Sequence, residues 1–150
     1  GSNSSFVPTT TGLNLGNSSG TTWNYVYYTI GATQGSDRKI KDNIADMSAD
    51  FSAQLINGLV PKSYTLKVAK TPRTHYGFIA QEVEDLLYSL GTSPDEVGIV
   101  CKSKPGELDS EDNHYSLNYT NLIAPMVSVI QQLSKRVEEL ENKLNTIQND

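Results

Sequence analysis

Eight apolar residues near the C-terminus, Ile123, Met126, Ile130, Leu133, Val137, Leu140, Leu144 and Ile147, follow one another at spacings that alternate strictly between three and four. Such an unbroken seam over about four heptads predicts a coiled-coil helix, with Ile123, Ile130, Val137 and Leu144 at a and the others at d. A lone amphipathic helix lying on its own domain would show a broader stripe of period 3.6. From Gln131 onward, however, apolar side chains occur only on the seam. A chain ending this way is expected to associate with copies of itself. β-Branched residues at a with Leu at d favour two strands. Against that, Arg136 at g and Glu141 at the following e flank two seam residues, which resembles the short motif of three-stranded coiled coils; a homotrimer is the expected state. Asn121 is placed to cap the helix, with Pro125 in its first turn, where no intrahelical N–H bond is lost.

The charges divide the rest of the chain. Residues 1–35 contain no Asp, Glu, Lys, Arg or His, and 22 of them are Gly, Ser, Thr or Asn. All 29 charged residues follow Gly35. A segment so poor in apolar side chains cannot offset its own chain entropy by burial. Its exception is Trp23–Ile30, a β-branched and aromatic run with both faces apolar, which reads as a strand between neighbours. Residues 1–35 are therefore expected to be the β-rich end of a fibrous structure, with a boundary at Gly35–Ser36. A net charge of -5 argues against a nucleic-acid partner. No run approaches the ~18 apolar residues of a membrane span. The single cysteine, Cys101, excludes an internal disulfide and any CxxC site. The two histidines, His75 and His114, give no convincing metal site, and no cofactor is expected.

Residues 36–119 read as a small α+β domain of helices and short antiparallel strands. Phe51, Leu55, Ile56 and Leu59 share a helical face over 50–59, closed by Pro61. Strands are predicted at 63–68 and 75–80. A helix follows over 81–90, with Val83, Leu86, Leu87 and Leu90 on one face and Gly91 as its stop. A further strand pair is expected at 97–101 and 115–119 around a polar loop, with Cys101 as a small core residue. Residues 120–150 form the coiled-coil helix.

Four stretches of the chain carry a family likeness. Leu15-Gly16 with Trp23 and Val26-Tyr27 resembles an LG…W…(V/I)Y segment, and Ser36-Asp37-Arg38-Lys39-Ile40-Lys41-Asp42-Asn43-Ile44 resembles an SDxxxKxxI signature. Gly77-Phe78-Ile79-Ala80-Gln81-Glu82-Val83 resembles a GFIAQEV block, and Tyr119-Thr120-Asn121-Leu122 a terminal YxxL. Together they resemble the C-terminal intramolecular chaperone, or auto-processing, domain of phage tailspikes, tail fibres and neck appendages, a serine–lysine self-cleaving peptidase family. The resemblance implies a domain that trimerises, lets the upstream segments of its own chain wind into an intertwined β fibre, then cuts itself off before the serine and is released. The scissile bond would be Gly35–Ser36, where the charge boundary already lies. The setting implied is a virion appendage precursor assembled in the host cytoplasm.

The same resemblance assigns Ser36 as nucleophile and Lys41 as its base, with His75, ahead of the GFIAQEV block, in a weaker supporting role. Chemically the assignment is coherent, since an alcohol needs a base to take its proton. A lysine serves at neutral pH only if its pKa falls from about 10.4 to about 7–8, through burial or nearby cations such as Arg38 and Lys39. Gly35 lacks a Cβ and so permits close approach at the scissile carbonyl. Ser36-Asp37 is equally a helix start, with the hydroxyl as cap. In a regular helix Lys41 would lie about 140° around from Ser36 at ~100° per residue, so the dyad requires Ser36 to sit before the helix or on a bent segment. Two other functions compete. One is a trimeric fibre tip that never cuts; the other is a carbohydrate-binding fibre end using Trp23 and the neighbouring tyrosines as stacking platforms.

Overall fold

The computed structural model describes residues 34–67, 71–102 and 115–148. Contacts divide the chain into two units, Gly1–Asp37 with Ser103–His114, and Arg38–Lys102 with Tyr115–Asp150. Of the first unit only Gln34–Asp37 are described, all exposed and without regular structure. The strand expected at Trp23–Ile30 and the polar loop with His114 lie outside the described residues.

The second unit is an α+β domain, as the sequence predicts. A single 3-10 turn, Arg38–Ile40, leads through an exposed segment to helix α1, Ala49–Gly58. Ser48 begins α1 by accepting the Phe51 N–H on its hydroxyl at 3.2 Å. Strands β1 (Lys62–Tyr64) and β2 (His75–Gly77) pair antiparallel, with Tyr64 opposite His75 and Lys62 opposite Gly77. Helix α2 spans Ala80–Ser89. Strands β3 (Val100–Lys102) and β4 (Tyr115–Leu117) form a second antiparallel pair. A 3-10 turn at Tyr119–Leu122 then runs into helix α3, Ile123–Gln148.

Leu55 of α1, Val83 and Leu87 of α2, Ile99, Val100 and Leu122 make the core, and Phe51, Leu59, Phe78, Leu86 and Leu90 pack around it. The predicted helical faces thus meet one another. Gly91, at φ 76°, ends α2. Thr92 N–H reaches Leu87 O and Gly91 N–H reaches Tyr88 O, both at 3.1 Å, the paired bonds of a Schellman stop. Leu55 and Leu87 are wholly enclosed. Either one changed to alanine is expected to cost about 2–5 kcal/mol, a large share of a domain's 5–15 kcal/mol, measured by urea unfolding.

The strands are shorter than the residues suggest. Pro61 directly precedes β1, opposite Phe78 in the register, and brings no N–H with which to extend the ladder at that end. Ile99 N–H turns back onto Val97 O at 2.7 Å, which delays β3 to Val100. Cys101 is exposed, not a core residue, because strand alternation gives the inward position to Val100. Nor does Asn121 cap α3; its side-chain amide donates to Gly98 O at 2.6 Å and ties the foot of the helix to the turn before β3. Pro125 does fall in the first turn of α3, where it is buried.

Candidate functional site

Ser36 is not part of a helix; the 3-10 turn begins two residues later, at Arg38. Lys41 N–H closes that turn onto Arg38 O at 3.2 Å. Two residues on, Asn43 takes φ 51°, a left-handed conformation that asparagine tolerates better than most residues and that redirects the chain. The regular helix that would carry Lys41 away from Ser36 is therefore not what this segment forms. Gly35, Ser36 and Lys41 are all exposed. Gly35 and Ser36 belong to the first unit, whereas Lys41 and His75 belong to the second.

His75 opens β2 and is half-buried. Its ring stacks on Tyr64, its partner in the strand register, with centroids 5.8 Å apart and planes 18° from parallel. The next residue, Tyr76, points the other way and is 82% exposed. After Gly77 the chain passes Phe78, whose N–H donates to the Tyr119 hydroxyl oxygen at 3.2 Å and whose ring stacks on Tyr119 at 6.0 Å. Gln81 and Glu82 follow in the first turn of α2, and Glu82 pairs with Lys62 of β1 at 3.0 Å. A shallow, open cleft lies between Gly58–Val60, Phe78, Ile79 and Leu86, with room for about one enclosed water.

One carboxylate unnoticed in the sequence is enclosed: Glu84, 8% exposed on α2, accepts from the Lys102 ammonium at 3.3 Å. That ammonium also lies 5.0 Å from the Tyr115 ring centroid. Hydrogen bonding to the Tyr115 side chain, then to Glu84, raises Lys102 above its ordinary range, with desolvation opposing. A raised folded-state value means this lysine stabilises the domain at neutral pH and loses that contribution as pH climbs past about 10.4 and through the higher folded value. Lys102→Met is therefore expected to melt below the parent at pH 7, and the two melting curves should converge in strongly alkaline buffer. Among the described residues no group of three His, Cys, Asp or Glu side chains is placed to hold a metal.

Helix α3 carries two separate stripes. Its covered side bears Pro125, Ser128, Val129 and Gln132 and meets α1, where the Gln132 amide donates to Ala49 O at 3.1 Å. The predicted seam lies roughly a third of a turn away. Its members are all exposed, from 42% for Met126 to 73% for Ile147. Within the single chain Arg136 pairs with Glu139 of its own helix at 3.3 Å; the partnership expected with Glu141 is one between helices. No helix among the described residues is long and apolar enough to cross a membrane.

Residues 36–92 match the family model described as the chaperone of endosialidase, which bears out over that stretch the family resemblance read from the sequence. The leading LG…W segment and the YxxL segment lie outside the match. No curated protein matches the chain by sequence. Several solved structures share the fold, among them two that contain an intramolecular chaperone. One, described as a novel intramolecular chaperone, is 22% identical at TM-score 0.54, over 67% of this chain and 99% of its own. The other is the carboxy-terminal domain of the bacteriophage T5 L-shaped tail fibre with its intramolecular chaperone domain, 20% identical at TM-score 0.62. It aligns with 93% of this chain, which spans 38% of that longer one.

Proposed function

We propose that this chain is a self-cleaving intramolecular chaperone of a phage fibre or appendage. Three copies associate through the α3 seam and bring their uncharged 1–35 segments together, so that these fold as an intertwined β fibre end. Cleavage at Gly35–Ser36 then releases residues 36–150. The chain would act as part of a virion appendage precursor in the host cytoplasm, with the upstream fibre segment and other copies of itself as its partners. The observation that carries this reading is that the family match begins at Ser36, the residue at which the charge-free segment ends.

The chemistry uses few groups. Lys41 Nζ takes the proton of the Ser36 hydroxyl, and Oγ attacks the Gly35 carbonyl carbon. Collapse of the tetrahedral oxyanion breaks the Gly35–Ser36 C–N bond and returns a proton to the Ser36 amine, leaving Gly35 as an ester on Oγ. Water hydrolyses that ester to a Gly35 carboxylate and a free Ser36 hydroxyl. His75 is suited to orienting the scissile segment or donating to the oxyanion. In one chain Lys41 is exposed; packing of further copies around it would supply the desolvation a lysine base requires. Cleavage would in this way wait for assembly. The Arg136–Glu139 pair is solvent-exposed and worth only ~0.3–0.5 kcal/mol, so it presents little barrier to Arg136 turning toward Glu141 of a neighbouring helix.

The reading is tested by intact mass and N-terminal sequencing after incubation at neutral pH, with sedimentation of the same sample. A trimer yielding a fragment that starts at Ser36 supports it. A trimer that stays full length makes the chain a structural fibre tip.

A further inference from the structure

Around Gly77, side chains from three distant stretches converge on one short piece of backbone. Tyr119 comes from the turn that starts α3, Tyr64 from β1, and His75 and Phe78 flank the glycine itself. The Tyr119 hydroxyl accepts the Phe78 N–H, and its ring stacks on Phe78. The space a Cβ on Gly77 would need is already filled by the Tyr119 hydroxyl, and the Tyr64 hydroxyl would lie 3.3 Å from such an atom. Tyr64 in turn stacks on His75. Gly77 is thus glycine because two tyrosines close over it.

We infer that Tyr119 is a positioning residue that fixes the β1–β2 hairpin, and His75 within it, to the foot of α3. No residue between Tyr119 and Ile123 lies outside the 3-10 turn that enters the helix, so little slack separates the tyrosine from the first seam position. The hydroxyl acts through the backbone of 77–78. The inference rests on the proposed function only where cleavage is its readout, since the placement of His75 can be measured without cleavage.

Three variants test it in the full chain: Tyr119→Phe, Gly77→Ala, and the two combined. Tyr119→Phe keeps the ring stack and removes one hydrogen bond, so it should remain folded and assembled while its self-cleavage slows about tenfold. The ring resonances of His75, assigned against a His114→Gln chain, should shift in the same variant. Gly77→Ala alone should lower the melting temperature, because its methyl meets the tyrosine oxygen. In the Tyr119→Phe background much of that loss should disappear, since the oxygen is gone. Unchanged His75 resonances in Tyr119→Phe, or an alanine penalty equal in both backgrounds, would overturn the inference. If the parent chain never cleaves, the proposed function fails, and the resonances and the melting cycle still decide the placement of His75.

Discussion

Replacing Ser36 with alanine is expected to leave the chain at full mass after incubation at neutral pH, under conditions where the parent yields a fragment beginning at Ser36. The expected loss is at least about a thousandfold, because losing the nucleophile removes the covalent route altogether. The fold should be unaffected, as Ser36 is exposed and outside the core. Lys41 separates charge from proton transfer. Lys41→Arg keeps the cation, but a guanidinium does not give up its proton, so this variant should be as inactive as Lys41→Met. Loss of a general base costs typically about 10²–10⁴-fold. An arginine variant that cleaves at the parental rate would remove Lys41 from the mechanism while leaving Ser36 in it.

The second large effect is on assembly. Leu133→Asp with Leu140→Asp is expected to convert the proposed trimer to monomers in sedimentation and to abolish the proposed cleavage, while the melting of the α+β domain itself changes little. In the single chain these leucines are 59% and 49% exposed, so their substitution opens no cavity there. In an assembled coil each would otherwise contribute up to about 1.5–3 kcal/mol of apolar burial, and each aspartate adds the cost of desolvating a carboxylate. The two substitutions act in every copy, so the penalty is multiplied across the assembly. A double variant that still sediments as a trimer would move the association surface elsewhere. One that is monomeric yet cleaves normally would uncouple cutting from assembly.

Local periodicity made parts of this domain legible, and contacts across the chain hid others. The faces of α1 and α2, the stop at Gly91 and the repeat along α3 depend on residues within a turn or two of one another, and each is where the sequence puts it. The exposure of Cys101 depends on which face of a two-stranded ladder turns inward. The fate of Asn121 depends on a carbonyl 23 residues away, at Gly98. Tyr119 belongs to a recognisable YxxL stretch, but its hydroxyl meets a backbone N–H 41 residues earlier, which no spacing rule anticipates. Glu84 sits between Val83 and Leu87 on a helix that reads as ordinarily amphipathic, and its enclosure becomes evident only with Lys102 above it. Around Ser36 the residue types were readable. The backbone there was not: a single 3-10 turn at Arg38–Ile40 and a left-handed Asn43, in place of a regular helix, leave no periodic trace.

The clamp of α3 on α1 stops near Gln132, and every residue from Leu133 to Gln148 is exposed. Sixteen residues of helix standing clear of the domain are close to the length at which an isolated helix is only marginally stable in water. Amide hydrogen exchange along that stretch is consequently a clock for association. In dilute, dissociated protein the backbone from Leu133 onward should exchange rapidly while α1 and α2 remain protected, and protection should spread toward Gln148 as concentration rises. The domain would then form alone and at once, and only its free end would register how many neighbours it has found.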